Sequence, residues 1–239
     1  MEIINSGNIS EENIAKWNLE ILEYNQLHDG SNELSKAPLI VKQQIGDASN
    51  YLLQNAYNME RVVTNDLLSI LTNNGYFVEL ENRFKSRKRL EEKIYHKYQR
   101  TNNEIISIAN NIGDVLRYTI IFDYDNYIQN VQGYLENLEE LGYNISVFKN
   151  RWNEVYFKGI SVKINGPCGM FEIQFHTKEN YEIKEVFSRE PYKLTRKSNA
   201  PIDLLIKAFL LRRIYQQKVR IPLGAIEYQY KNTNKKVYR

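Results

Sequence analysis

Three strand-like segments follow one another closely in the second half of the chain, and they restrict the fold more than any other feature. They cover residues 144–149, 154–164 and 170–176, with connections of hairpin length between them. Such short connections favour antiparallel pairing, because a parallel pair needs a long crossover. Two earlier strands are predicted at residues 76–80 and 115–122, and helical spacing fills most of the remaining chain. This order predicts an α+β fold with a mixed sheet flanked by helices.

The pattern of the sequence changes from helical spacing to a strand-like segment near residue 76. Before it, helical spacing predicts helices over residues 10–28 and 39–73, with Ser10 as the N-cap of the first. We therefore predict an N-terminal helical region, residues 1–75, followed by one α+β domain, residues 76–239, that ends in helices. Later helices are predicted over residues 82–98, 105–110, 123–141, 178–193 and 202–217.

Charge and composition exclude several classes of protein. The formal net charge of +3 is too small to require a nucleic-acid partner, although it permits a local basic site. No apolar run approaches the roughly 20 residues of a membrane span, and the N-terminus lacks the regions of a signal peptide. The single cysteine, Cys168, excludes an internal disulfide and fits a reducing compartment. We expect a cytoplasmic protein, with export as an effector or toxin through a C-terminal signal as an open alternative.

Cations cluster where the helix over residues 82–98 is predicted to begin. Arg83 and Lys85 stand one residue apart, and Lys93 follows about two turns later. A helix N-terminus is the positive end of the helix dipole, so cations are unfavourable there unless an anion binds. The run therefore predicts a polyphosphate site, and a solvated basic face is the alternative.

The segment over residues 170–176 alternates between apolar and polar side chains. Strand geometry places alternate residues on opposite faces. A carboxylate, an amide and an imidazole aligned over an apolar back predict the floor of a polar cleft. The apolar face consists of Phe171, Ile173 and Phe175, and the polar face of Glu172, Gln174 and His176.

Two carboxylates occupy positions suited to a metal ion. Asp114 stands just before the strand at residues 115–122, and Glu172 lies within the polar face of the later strand. Mg²⁺ is usually held by one or two carboxylates together with substrate oxygens. A turn cap is the alternative for Asp114. The pattern does not indicate zinc, because the histidines are far apart and there is no cysteine cluster.

Residues 151–159 combine aromatic side chains with cations. On the strand predicted at residues 154–164, Tyr156 and Lys158 would face the same side. An aromatic ring on which a base stacks, beside cations for its phosphates, would account for this composition. Ordinary core aromatics are the alternative.

Taken together, these motifs resemble the synthetase domain of the RelA/SpoT alarmone enzymes over about residues 76–227. The resemblance lies in the order of four elements: Arg83-Phe84-Lys85 with Lys93 behind it, Asp114 at the start of a central strand, Tyr156, and the strand that begins Glu172-Ile173-Gln174. It implies a nucleotidyltransferase-like fold, an ATP site at the basic run, Mg²⁺ held by the two carboxylates and a base stacked on the tyrosine.

A second, closer similarity is to a branch found in bacterial toxin- and effector-like proteins. It rests on Asp-x-x-Arg-Tyr-Thr beginning at Asp114, on Phe-Glu-x-Gln-Phe-His-Thr beginning at Phe171, and on Pro222-Leu223-Gly224. The chain also departs from the alarmone synthetases, which place an arginine, a histidine and an arginine at three of its positions. Those positions are Thr119, Ile160 and His176.

The resemblance implies an ATP-dependent pyrophosphokinase that transfers pyrophosphate to a ribose hydroxyl of a GTP- or GDP-like nucleotide or of an RNA 3′ end. Arg117 would replace the missing strand arginine in neutralising charge, and Lys158, Gln174 and His176 would line the nucleotide site. A catalytically silent nucleotide- or RNA-binding module and a nucleotidyltransferase that moves AMP are the alternatives on the same fold.

Overall fold

A computed structural model describes residues 9–28, 33–101, 103–167, 169–197 and 199–231 of the chain. The lone cysteine, Cys168, lies outside these residues. Within the described ranges, the search for a helix long and apolar enough to cross a membrane finds none.

The elements alternate as the sequence pattern indicates. The helices are α1 (Glu11–Leu27), α2 (Leu39–Ser69), α3 (Arg87–Thr101), α4 (Ile105–Asn110), α5 (Tyr127–Glu140), α6 (Lys178–Glu182), α7 (Arg189–Leu194) and α8 (Ile202–Gln217). The strands are β1 (Gly75–Val78), β2 (Arg117–Phe122), β3 (Asn144–Asn150), β4 (Ile160–Gly166) and β5 (Gly169–His176).

The five strands form one mixed sheet in the order β1-β2-β5-β4-β3. The consecutive strands β3, β4 and β5 pair antiparallel, as their short connections predict. β2 pairs parallel with β5 on one side and antiparallel with β1 on the other. The prediction of an α+β fold with a mixed sheet flanked by helices is confirmed.

One face of the sheet is apolar and is covered by α2 and α5. The rings of Phe122 and Phe175 stack at 5.9 Å, and Tyr134 of α5 meets Phe175 edge-on at 5.8 Å. The Tyr134 hydroxyl donates to the Leu67 carbonyl of α2 at 2.9 Å. Because α2 precedes residue 75 and yet packs on the sheet, the N-terminal helices contribute to the same core. The domain division at residue 75 stays a prediction.

The first helix, α1, docks against the C-terminal helices. Its N-cap is Ser10, as predicted, whose hydroxyl accepts from the Asn13 amide at 3.3 Å. Lys207 of α8 pairs with Glu20 at 2.6 Å, and the Asn25 side chain donates to the Glu190 carbonyl at 3.0 Å. These contacts join the two ends of the described chain.

The strand predicted at residues 154–164 is wrong in its first half, because β4 begins only at Ile160. Residues 151–159 form a loop whose base is closed by the Arg151 amide, which donates to the Gly159 carbonyl at 2.9 Å. Gly159 has φ +128°, and a Cβ there would lie 2.9 Å from the His176 ring. The positive φ and the close approach to His176 both require glycine at this position, and β4 begins directly after it.

Two predicted helices also differ from the structure. The helix expected over residues 178–193 is divided by a π-helical turn, Ile183–Phe187, between α6 and α7. The helix expected from residue 82 begins only at Arg87, since residues 83–85 pair instead with the chain before β2. Arg83 and Lys85 therefore precede α3 rather than lie in its first turn.

The stacked aromatic core should dominate stability. We expect Phe175→Ala to lower the free energy of unfolding by about 3–5 kcal/mol, because a fully buried ring is replaced by a cavity. Leu223→Ala, at a side chain that is 91% exposed, is the control and should change it by less than about 0.5 kcal/mol. Urea unfolding followed by circular dichroism measures both, and equal losses would contradict this account of the core.

Candidate functional site

The face of the sheet opposite the aromatic core is polar and brings residues from four strands together. Glu172 of β5 lies opposite Arg117 of β2 on one side and opposite Lys163 of β4 on the other. Two residues further along β5, on the same face, Gln174 lies opposite Thr119. The carboxylate of Glu172 thus stands between two strands that each contribute a cation at the same level.

Asp114 lies three residues before β2 and is held by two lysines. Its Oδ2 accepts from Lys93 Nζ at 2.6 Å and pairs with Lys85 Nζ at 3.1 Å. Lys93 comes from α3, whereas Lys85 is placed by backbone pairing: its amide donates to the Val115 carbonyl at 2.8 Å. The structure therefore brings together three of the predicted site residues from separate parts of the chain.

The charges of this cluster influence one another strongly. Burial by itself would raise the pKa of Asp114, but Lys85 and Lys93 outweigh burial and hold that pKa well below its usual range. For Lys85 the balance is reversed, because burial lowers its pKa more than Asp114 raises it. The Asp114 carboxylate is consequently ionised throughout the neutral range.

Three further lysines join the polar face, and the sequence analysis missed them. Lys97 follows Lys93 by one helical turn on α3, Lys149 lies on β3, and Lys163 lies on β4. Burial lowers the pKa of Lys97, and the charges of Lys93 and Lys163 lower it further. The pKa of Lys149 is also lowered, first by burial and then by Arg151 and Lys163. The four-residue spacing of Lys93 and Lys97 was the one signal in the sequence for these lysines. Lys149 and Lys163 can be assigned to the polar face only when the register of the sheet is known.

Arg83 is directed elsewhere. Its Nε donates to Glu60 Oε1 of α2 at 2.7 Å, and its guanidinium lies 5.2 Å from the centre of the Phe84 ring. Glu60 also accepts from the Thr64 hydroxyl, which in turn bonds to the hydroxyl of Tyr118. The structure places the Arg83 side chain against α2, so its predicted role in binding ATP stays a prediction.

Two buried oxygens of the site have no hydrogen-bond partner among the described residues. They are Oδ1 of Asp114 and Oε1 of Gln174, whose Nε2 donates to Glu172 Oε1 at 2.7 Å. Within the same residues no group of three or more potential metal ligands occurs. Two hard carboxylates and a free buried oxygen fit Mg²⁺, which takes one or two protein carboxylates and completes its shell with substrate oxygens and water.

His176 lies on the polar side of β5 but not in an open cleft. It is completely buried, and its Nδ1 lies 2.8 Å from the Asn180 side-chain nitrogen. Burial lowers its pKa well below the usual range, so the ring is neutral. The expectation that it lines the floor of a polar cleft with Glu172 is wrong, because the ring is fully buried and packs against the rings of Phe157 and Tyr181.

Tyr156 and Lys158 lie in the loop over residues 151–159, not on one face of a strand. Lys158 Nζ donates to the carbonyls of Trp152 and Glu154 at 3.0 and 3.3 Å, so it supports the loop from inside. Tyr156 is 40% exposed, and its ring contacts Phe209 of α8 at 5.4 Å. The predicted stacking of a base on this ring stays a prediction.

No family model matches the chain, and no curated protein matches it. Among solved structures, the chain is similar to a GTP pyrophosphokinase family protein from Streptococcus pneumoniae, at 12% identity and a TM-score of 0.42 over 76% of this chain and 90% of that one. Small alarmone synthetases 1 and 2 from Bacillus subtilis are 13% and 17% identical, with TM-scores of 0.42 and 0.41, over 70% of this chain and 88% and 91% of theirs. These are distant likenesses.

The ion pairs of Asp114 should make stability depend on acid pH. Because the folded-state pKa is depressed, the stabilisation is present above the unfolded-state pKa near about 3.9 and is lost as pH falls below it. We expect Asp114→Asn to cost about 1–3 kcal/mol at pH 7 and progressively less between about pH 4 and pH 2. Lys85 does not titrate in this window.

Urea unfolding of both proteins across this pH range measures the difference. Asp125→Asn, an exposed carboxylate, is the control and should change the free energy of unfolding by less than about 0.5 kcal/mol at every pH. A constant difference between wild type and Asp114→Asn from neutral to acid pH would show that the ion pairs do not stabilise the fold.

Proposed function

We propose that this chain is a Mg²⁺-dependent enzyme that transfers pyrophosphate from ATP to a ribose hydroxyl of a second nucleotide, GTP- or GDP-like, or of an RNA 3′ end. The observation that carries the proposal is the ionised, half-buried Asp114, held between two lysines beside a polar sheet face that bears a second carboxylate, Glu172. The motif resemblance to the RelA/SpoT synthetase domain supports the same reaction.

The lysines of the polar face supply the site for the ATP phosphates. Lys85 and Lys93 lie on Asp114, and Arg117 and Lys163 flank Glu172 in the sheet register. Partly desolvated cations attract phosphate more strongly than solvated ones, because the local dielectric is lower. Burial first, and then the charges of Lys93 and Lys163, lower the pKa of the neighbouring Lys97, and the repulsion between these cations would be relieved when polyphosphate binds.

Asp114 and Glu172 would hold the Mg²⁺ ion. Asp114 presents its unpartnered Oδ1 while Oδ2 remains with the lysines, so metal and lysine contacts do not compete for one oxygen. When bound, the ion would neutralise charge on the phosphates of the donor. The Nε2–H of Gln174 fixes the orientation of the Glu172 carboxylate.

In the transfer, a ribose hydroxyl oxygen of the acceptor attacks the β-phosphorus of ATP. The bond between that phosphorus and the oxygen bridging to the α-phosphate breaks, and AMP leaves with the electron pair. The hydroxyl proton passes to the Glu172 carboxylate acting as general base. Positioning and charge neutralisation carry most of the rate, as in phosphoryl transfer generally.

The acceptor base would stack on the exposed ring of Tyr156. The loop that presents this ring follows β3 and leads directly into β4, the strand that carries Lys163. The similarity to the toxin- and effector-associated branch extends the proposal to a role as a toxin or effector.

Labelled ATP tests the reaction class. We expect wild type to release AMP from ATP in the presence of Mg²⁺ and GDP, GTP or RNA, with the β- and γ-phosphates recovered on the acceptor. Asp114→Ala and Glu172→Ala should each reduce the rate by more than about tenfold, a loss above about 1.4 kcal/mol. Glu140→Ala, at an exposed carboxylate of α5, is the control and should retain the rate.

The products also distinguish the alternatives. Release of pyrophosphate with AMP found on the acceptor would identify a nucleotidyltransferase. ATP binding without any product would identify a silent binding module. Either result would overturn the proposal, and a variant that keeps its rate would remove that carboxylate from the site.

Substitution of Tyr156 tests the acceptor site. We expect Tyr156→Phe to be nearly silent because the ring survives, and Tyr156→Ala to weaken acceptor binding by about 1–3 kcal/mol while ATP binding is kept. Calorimetric titrations with each nucleotide and a thermal melt measure this. A fall in melting temperature with loss of both affinities would mean that Tyr156 is a structural residue, and loss of activity in Tyr156→Phe would assign a chemical role to the hydroxyl.

A further inference from the structure

The loop over residues 151–159 has two firmly anchored ends. At its start, Trp152 is completely buried and meets Tyr127 edge-on at 5.2 Å. At its other end, the Asn180 side chain donates to the Lys158 carbonyl at 2.9 Å while it also contacts His176. The loop therefore enters and leaves from fixed points on the sheet, and Tyr156 lies at its tip.

The tip is held from a different part of the fold, by Arg212 of α8. Arg212 Nη2 donates to the Tyr156 carbonyl at 3.1 Å, and the guanidinium lies 5.3 Å from the centre of the Tyr156 ring. The same guanidinium also contacts α7 and its C-terminal end. It lies 5.1 Å from the centre of the Tyr192 ring, and Nη1 donates to the Thr195 hydroxyl at 3.3 Å. One guanidinium thus contacts the backbone and the ring of Tyr156 together.

The surroundings of the Arg212 guanidinium indicate a specific role, because removing a cation from water costs free energy. The Nε of Arg212 is buried without a hydrogen-bond partner in the described structure, and no carboxylate of those residues forms an ion pair with this side chain. Burial lowers its pKa, although an arginine remains charged. For a cation that has only carbonyl, hydroxyl and aromatic contacts, the free energy of desolvation offsets much of what these contacts contribute to stability.

We propose that Arg212 is a positioning residue for the acceptor site: it holds the tip of the loop so that the Tyr156 ring is presented for base stacking. The proposal rests on the proposed function, because it takes the acceptor base as the group that stacks. Arg212 and Phe209, both of α8, contact the Tyr156 ring at 5.3 and 5.4 Å between centres. The acceptor base would stack on the part of the ring that these two residues leave open, so its affinity depends on α8.

Arg212→Met tests this, with Arg213→Met as a matched control. Arg213 is the next residue on α8 and is exposed, so the control removes the same charge without the loop contacts. In Arg212→Met we expect hydrogen exchange of the amides in residues 151–159 to rise at least about tenfold. The KM for GDP, or for an RNA with a free 3′ hydroxyl, should rise about ten- to a hundredfold, while kcat and the KM for ATP stay within about twofold. Arg213→Met should match wild type in every measurement.

Arg212→Lys separates charge from geometry. An ammonium group cannot donate in a planar fork while it stacks on two rings, so this variant should still show raised loop exchange and a raised acceptor KM. It also serves as the second variant if Arg212→Met does not fold. Recovery of wild-type behaviour by lysine would show that positive charge alone suffices and would overturn the positioning role.

Three results would count against the proposal. Unchanged exchange in residues 151–159 would show that Arg212 does not hold the loop. Raised exchange with an unchanged acceptor KM would show that the loop tip does not position the acceptor. A joint loss of acceptor binding, ATP binding and melting temperature would indicate general destabilisation. If wild type itself transfers nothing, the proposed function fails, and the exchange comparison still decides whether Arg212 holds the loop.

Discussion

The ion pairs of Asp114 with Lys85 and Lys93 are the interaction on which the rest of the site depends. They join three pieces of chain that are distant in sequence: the segment that pairs with the start of β2, the helix α3, and the turn before β2 itself. Without an ionised carboxylate between them, two partly buried lysines would repel each other at close range. The same carboxylate places a buried, unpartnered oxygen beside the polar face of the sheet.

The two faces of the sheet differ: one packs against helices in the core, and the other carries the polar side chains of the candidate site. Strand alternation sends the phenylalanines of β5 toward α2 and α5, where burial stabilises the fold, and sends Glu172 and Gln174 to the opposite side. Because the parallel pairing of β2 with β5 fixes the register, Glu172 comes to lie level with Arg117, and the antiparallel β4 adds Lys163 at the same level. Burial and the charges of neighbouring cations lower the pKa of Lys97 and Lys149 on this side of the sheet.

Much of this arrangement could be read from the sequence, and the failures have physical reasons. The two-residue alternation of β5 correctly predicted both faces, since strand geometry allows little else. The start of β4 at Ile160 was predicted six residues too early, because the positive φ of Gly159 and its close approach to His176 depend on a contact between residues distant in sequence. The prediction that His176 lines the floor of a polar cleft was wrong for a similar reason: neighbouring elements bury the ring, and its position in the strand does not reveal them. Lys149 and Lys163 could be assigned to the site only once the strand register was known.

The central claim is that the cluster around Asp114 binds the phosphates of ATP with Mg²⁺, and calorimetry with α,β-methylene-ATP tests it most directly because this analogue cannot undergo the transfer. Wild type should bind the analogue in a Mg²⁺- and salt-dependent manner, since screening weakens the contacts between lysine and phosphate. Lys85→Met should weaken binding by at least about tenfold. Arg89→Met removes the same charge from an exposed position four residues away and should change the affinity by no more than about twofold. Absence of Mg²⁺-dependent binding by wild type, or equal affinities for the two variants, would contradict the account.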